Sequence, residues 1–460
     1  MKLRNPMKRS LFEYPLFRNM FTVRETFFVD TDGLAPCRRN LLVANCLTGV
    51  ISSLTAGIYF TGLMLAMGAS EVYIGYVTAI ISFCGFFQIL SPLFLERIPR
   101  RKNLIMGGRA LYHILNIGVI GVLPLLPIEN STKLALFIIT LLILNISNAL
   151  LAPGILTWHL QCLHNNQKRI GFFAICNMIG SVLNQVTVFL AGLFLDKFEA
   201  DSIWLGNISP TLSAILILRC VAMALAVLEC IFYMRIKEAP YAADSTQSRP
   251  VGLKLLLRPL KNKRFLQAIS VPLIWGFSAA IVGQYFSIYL LEDVHMSYSM
   301  ISLAGIISLP LQLIAAPIWT KALQRKPWYK AILIGQLINI SAYILHPVVT
   351  ADRAWFYFIC VILSAVCSPG MSLAHTHLQY TYMPEENRTA YVSCNAVLTQ
   401  LASFLGANVG VWFIQFSSDL KVNILGLSMG SKQLINLVTA ALMTFVCIYA
   451  QVFVRKKLPE

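Results

Sequence analysis

Asn177, Ser181, Asn184 and Gln185 recur at intervals of three and four inside a run of Phe, Ile, Val and Leu. On a helix that spacing gathers three amides and a hydroxyl onto one face. A second set, Asn395, Thr399, Gln400 and Ser403, repeats the pattern 218 residues further on. Such groups make and release hydrogen bonds; they are not nucleophiles, bases or metal ligands. The chemistry they support is recognition of a small polar solute. Asn145, Asn148, Ser52, Ser53, Ser278 and Gln284 are further polar residues set in apolar surroundings and belong to the same candidate group.

A different polar signal is the tripeptide His-Leu-Gln, present as His159–Gln161 and again as His377–Gln379, also 218 residues apart. Each copy closes a long apolar run just before a turn that carries Arg169 or Arg388. A His and a Gln placed there can bond to a neighbouring helix in one conformation and release it in another, so His159, Gln161, His377 and Gln379 are expected to serve a gate. Glu96 with Arg97, Arg169 and Arg388 are expected to form latches of the same kind. Exposed pairs are individually weak, so several must act together.

Enzyme chemistry is excluded by what does not converge. The chain has no paired carboxylates, no Cys-x-x-Cys and no glycine-rich phosphate loop followed by Lys. His375 and His377 are two residues apart, which turns them about 200° from one another on a helix. No metal and no cofactor is expected. The eleven cysteines read as small buried hydrophobes.

The elements that must position these residues follow from composition. The 460 residues are 57% apolar and 12% charged, against about 25% charged in an average soluble domain. Twelve apolar runs of about 20 to 28 residues start near Leu41, Val72, Leu104, Lys133, Ile170, Thr211, Leu266, Met300, Tyr329, Trp355, Thr389 and Ser431, each long enough to cross a hydrocarbon core about 30 Å thick. In lipid, runs this long satisfy their backbone only as helices. The expected fold is therefore an all-α polytopic membrane protein.

Charge orients it. With the N-terminus inside, 30 Lys and Arg fall in the segments on that side and 5 on the other. This is the positive-inside bias, and it accounts for the net charge of +17 without a nucleic-acid partner. Both termini are expected in the cytoplasm and the chain in the plasma (bacterial inner) membrane. The first 40 residues hold eight Lys or Arg and no clean apolar core, unlike a cleavable targeting peptide.

The 218-residue shift also superposes Cys176–Asn177 on Cys394–Asn395, while Tyr59–Phe60 matches Tyr285–Phe286 and Pro92 matches Pro317 at nearby offsets. The chain is thus expected to be an N-terminal segment 1–40, a six-helix bundle 41–235, a central loop 236–264, a second six-helix bundle 265–455 and a tail 456–460. Internal duplication of this kind is common in secondary transporters.

The loop Pro92-Leu-Phe-Leu-Glu96-Arg97-Ile-Pro99-Arg100-Arg101-Lys102 resembles the signature loop of the major facilitator superfamily, Gly-x-Leu-Ala-Asp-Arg-x-Gly-Arg-Arg. Glu96 stands at the acidic position and Arg97, Arg100 and Arg101 at basic ones, while Pro92 and Pro99 replace the two glycines. The stretch from Trp158 to Phe173 is also similar to the turn between the fourth and fifth helices of some bacterial members. The resemblance implies two pseudo-symmetric bundles rocking about a solute held near the midplane. On that reading the chain is a monomeric transporter of a small polar solute, by alternating access, either driven or facilitative. Two alternatives stand beside it: an efflux pump for amphipathic drugs, if Trp275, Tyr285 and Trp412 line the cavity, and a membrane sensor derived from a transporter.

Overall fold

A computed structural model describes residues 27, 33–91, 95, 98, 101–161, 166–203, 208–236, 258–283, 285–325, 327–384, 388–418, 420–424 and 427–457. Glu96, Arg97 and Gln284 lie outside the described residues, as do the side chains of Gln161, Arg169 and Arg388. Twelve helices are long and apolar enough to span a bilayer: Ala35–Ala66, Glu71–Leu90, Lys102–Leu125, Asn130–Ile155, Ile175–Ala200, Pro210–Met234, Lys263–Asp293, Tyr298–Gln324, Trp328–Val348, Phe356–Thr381, Tyr391–Phe416 and Ser431–Val454. The spans are referred to below by number in this order. Ser70 and Asn262 cap the second and seventh by accepting from the amides of Tyr73 and Phe265, each at 3.2 Å.

The all-α polytopic fold is as expected, and four details add to it. The first span starts at Ala35, inside the stretch assigned to the N-terminal segment. In the connection between the eleventh and twelfth spans, β1 (Val422–Ile424) and β2 (Leu427–Met429) form a short antiparallel hairpin. Among the described residues nine cysteines are free, but Cys37 is disulfide-bonded. Two spans are broken in mid-course. In the first, the helix Ala35–Thr55 stops at Ala56, which is extended, and a new helix begins at Gly57 with φ +59°. In the seventh, Lys263–Val282 ends at Gly283 with φ +44°. Both breaks use a glycine because side chains resist the left-handed region. Each lies two residues before the matched Tyr59–Phe60 and Tyr285–Phe286, so the two halves are interrupted at equivalent places.

The first six spans and the last six meet along two helix pairs, the second with the eleventh and the fifth with the eighth. Their union is one-sided. At the end of the bundles that carries the chain termini, Phe27, Leu41, Ile105, Trp158 and Phe172 pack within the first half, and Phe265, Ile269, Met383 and Tyr391 within the second. At the far end a single apolar cluster takes residues from both, joining Leu63, Ile74, Leu141 and Ile215 to Ile281, Tyr285, Ile288 and Ile414. Among the described residues, the halves thus share a buried apolar core at the face away from the termini.

Glycine makes this approach possible. A Cβ on Gly192 of the fifth span would stand 2.9 Å from both Ser299 N and Tyr298 O of the eighth, and one on Gly75 of the second would strike Tyr285 of the seventh. Replacing Gly192 by Val should therefore wedge the far face apart, costing about 1–3 kcal/mol as overpacking does. Thermal unfolding of the purified variant in detergent checks this, and an unchanged midpoint would contradict the close contact.

Candidate functional site

The break in the first span opens onto a cavity of about 360 Å³ between the halves. Ser52, Ser53, Ala56 and Gly57 line it from the first span, Asn184 and Gln185 from the fifth, and Ser302 and Gly305 from the eighth. The sequence produces this wall directly. No side chain caps the helix that starts at Gly57, so its first amides have no internal partner. Irregular backbone at membrane depth is tolerated where it lines a wet cavity, and matched interruptions in two halves mark binding sites in duplicated transporters. Ser53 is buried and donates to Gly49 O at 2.8 Å, whereas Ser52 is exposed to the cavity.

Polar contacts seal the cavity at the far face. Asp196 of the fifth span accepts the first amides of the eighth, Tyr298 N at 2.9 Å and Ser299 N at 3.0 Å. A carboxylate on one half thereby caps a helix of the other, where the helix dipole favours negative charge. The rings of Tyr59 and Tyr298 stack across the same seam at 6.1 Å. On the other helix pair, Lys432 at the start of the twelfth span lies 2.6 Å from Glu71 of the second, 2.6 Å from Asp293 and 3.5 Å from Glu292 of the seventh. A lysine in the first turn of a helix opposes the dipole, and three carboxylates around it offset that. Glu71 belongs to the first half and the other three residues to the second, so this cluster ties the halves together. Beyond it opens a bowl of about 870 Å³ that also meets Thr350, Gln415 and Lys421.

A third polar cluster lies wholly inside the first half. Glu229 of the sixth span is fully buried. Its carboxylate accepts from Arg109 and His113 of the third span and from Thr48 of the first. The Arg109 guanidinium also sits 5.8 Å over the ring of Tyr233, and His159 stacks on that ring at 5.7 Å with an interplanar angle of 12°. The donor atoms of His113, Glu229 and Cys230 all lie within 4.8 Å of one another, a spacing a metal ion could use. Both carboxylate oxygens are already engaged, one by a guanidinium, so the position is held by a cation the chain supplies itself. Nearby, the third span widens to a π-helix over Ile114–Val119. The Asn116 carbonyl there accepts from Arg219 at 2.6 Å.

Of the sequence candidates for the solute wall, Ser52, Ser53, Asn184 and Gln185 line the cavity. Ser181 and Asn177 follow one and two turns nearer the termini on the fifth span, and both are exposed. Asn145 is half-buried and donates to Leu141 O at 2.9 Å, Asn148 is half-buried, and Ser278 is buried and donates to Ile274 O at 2.9 Å. Across the second half's seam, Thr399 is exposed and donates to Asn395 O at 2.8 Å, and Gln400 packs where Gly85 leaves room. The gate candidates separate. His159 is buried against Tyr233 within the first half and does not face the second, while His377 is exposed and half-buried Gln379 lies half a turn beyond it. Sequence reasoning missed Asp196, Lys432 and Glu71 because charges at helix ends read as solvated loops. It also missed His113, although Arg109 and His113 stand one turn apart inside an apolar run, where polar groups need partners.

A family model described as Major Facilitator Superfamily matches residues 41–407. No curated protein matches the sequence. Several solved structures share the fold. One is a POT family transporter in complex with 5-aminolevulinic acid, at 14% identity and TM-score 0.67, covering 94% of this chain and 97% of the other. Another is a mutant of the nucleoside transporter NupG, at 12% identity and TM-score 0.64, covering 90% and 99%. A bacterial homologue of the iron transporter ferroportin superposes with TM-score 0.62 in its inward-facing state, at 16% identity over 90% and 97% of the two chains. In its outward-facing state the score is 0.51, at 14% identity over 90% and 98%. With the family model covering most of its length and twelve helices arranged as in these transporters, the chain belongs to the Major Facilitator Superfamily.

Proposed function

We propose that this multi-pass membrane transporter carries a small polar solute, uncharged or weakly charged, by alternating access, and that the cavity at the break of the first span is where the solute binds. The observation that carries the reading is the one-sided join of the halves: a polar and apolar seal at the far face, separate cores at the terminus face, and between them a cavity whose lining mixes Ser52, Ser53, Asn184, Gln185 and Ser302 with Ile58, Tyr59, Val188 and Ile301. Uncapped amides at Gly57 offer donors, and Asn184 and Gln185 offer both donors and acceptors. Asn177 and Ser181 extend this polar face toward the termini, and Asn395, Thr399 and Gln400 supply the facing stripe from the eleventh span. Asn145 and Asn148 of the fourth span form its neighbouring wall.

The cavity lining contains none of Trp275, Tyr285 and Trp412, the aromatic residues on which the amphipathic-drug reading rests; its one aromatic member is Tyr59. With both termini in the cytoplasm of a plasma or inner membrane, as the charge bias indicates, the closed face is the outer one. Lys432 with Glu71, Asp293 and Glu292, and Asp196 with the eighth span, then act as the outer gate.

Two measurements test this in the full chain reconstituted in lipid vesicles. A cysteine at Ser52 should react with a water-borne maleimide from the terminus side, and placing Leu at Asn184 should abolish solute flux while leaving thermal stability within about 1 kcal/mol. A Ser52 position sealed from reagent on both faces would remove the cavity from the pathway. Exposed ion pairs contribute about 0.2–1 kcal/mol each, so Lys432→Ala should raise labelling from the far side by up to about 5-fold, since roughly 1 kcal/mol corresponds to that factor. Unchanged labelling would show that the lysine cluster does not hold the gate.

A further inference from the structure

Arg219 sits near the middle of the sixth span and is 2% exposed. Its guanidinium carries five N–H donors, and one nitrogen, Nη1, donates to the Asn116 carbonyl at 2.6 Å. Nε and Nη2 are buried with no hydrogen-bond partner. These two nitrogens form one edge of the planar group, and parallel donors on such an edge grip anions. Among the described residues no carboxylate pairs with it. Glu229, the one acid among the described buried side chains, lies ten residues along the same helix, about 15 Å away, and is held by Arg109 and His113. A cation in so dry a setting costs far more than one neutral carbonyl offsets. Counter-charge is what the arrangement lacks.

The first span brings a second positive end to the same depth. The first and sixth spans pack antiparallel, with Gly62 against Ile215 at one level and Thr48 bonded to Glu229 at another, fourteen residues further along each. Arg219 is one turn from Ile215, so it stands level with Ile58, one turn from Gly62. That is the level of the break: the helix Gly57–Ala66 begins there, and no side chain caps the amides of Gly57, Ile58 and Tyr59. A helix start carries about half a positive charge. Guanidinium and helix start therefore meet at one depth with the same sign. Ala56 and Gly57 are exposed to the cavity, which gives an ion a way in.

We propose that Arg219 holds a small monovalent anion, a halide, on its Nε–Nη2 edge, at the level of the broken first span. One guanidinium balances one negative charge, whereas a dianion would leave an excess in the interior. The walls set the size. A Cβ on Gly121 would stand 3.5 Å from Arg219 Cδ, and Ile117, Ile120, Leu218 and Ala222 around it are buried and apolar. A halide has no donor of its own to satisfy among such residues. The ion is resident: it fastens the third and sixth spans to the start of the helix Gly57–Ala66 and steadies the cavity wall from behind. The three uncapped amides leave donors for a solute on the cavity side. The anion site stands on Arg219 and the break, and does not depend on the solute reading.

The test uses the full chain purified in chloride-free gluconate buffer, with chloride or bromide replacing gluconate at constant ionic strength and no solute present. A ligand that binds only the folded state raises its unfolding temperature. Chloride and bromide should each raise the midpoint by at least about 2 °C, and sulfate should not. Arg219→Gln, which can still donate to Asn116 O, should lose the halide response. A wild-type midpoint indifferent to halide, or a response in Arg219→Gln equal to that of wild type, would overturn the site. Acetate raising the midpoint more than chloride would overturn the halide assignment, because such a site reads carboxylates. Should Arg219→Gln fail to fold, crystals of the wild-type chain grown in bromide decide: an anomalous peak beside Nε and Nη2 of Arg219 supports the ion, and an empty edge overturns it.

Discussion

Hydrocarbon offers no hydrogen bonds, so every polar group inside the membrane must find its partner within the protein or in water that the protein admits. This constraint sets where the chain is helical and where it is allowed not to be. The first span gives up its helix at Ala56 only beside a cavity lined by serine, asparagine and glutamine. The widened turn in the third span releases a carbonyl that Arg219 takes up. Glu229 exists in the first half only with three donors around it. Each irregularity is therefore a location where a polar group has found its partner.

The duplication of the chain is one of scaffold more than of chemistry. The breaks at Gly57 and Gly283 correspond, and the helix pairs that join the halves mirror one another. The tripeptides do not. His159 is buried face to face with Tyr233, while His377 stands exposed with Thr381 of its own helix at 3.5 Å. Likewise the buried acid of the first half sits among Arg109, His113 and Thr48, whereas the seventh and twelfth spans of the second carry a neutral contact at 3.2 Å between Ser270 and Tyr449 and keep their charged one, Lys432 with Asp293 and Glu292, at the far end. Gene duplication preserves backbone geometry because packing depends on it; polar side chains are free to diverge once one copy carries the task.

Much of the fold was legible before any coordinates. Eleven of the twelve apolar runs begin within four residues of where the helices do, because length and hydropathy alone decide a span. The first begins earlier, at Ala35, because Arg38 and Arg39 break the apolar pattern without breaking the helix. The helix breaks were not legible: Gly57 and Gly283 look like any other glycine in a membrane helix, and only φ separates them. The polar stripe of the fifth span was visible as a period, and two of its members, Asn184 and Gln185, line the cavity. Partnership was the hidden part. Asp196 reads as a loop-end acid until the eighth helix arrives to be capped, and His113 as a lone ring until Glu229 comes from over a hundred residues away.

The cap that Asp196 places on the eighth span has one more implication. When the halves part at that face, two backbone amides and a carboxylate become wet at once, and water replaces each bond it takes away. Exchanging a protein partner for a solvent one at a charged acceptor changes the free energy by about 1.5–3 kcal/mol per bond. A closure built from such replaceable contacts is specific in geometry, and its depth is set by how few of them there are.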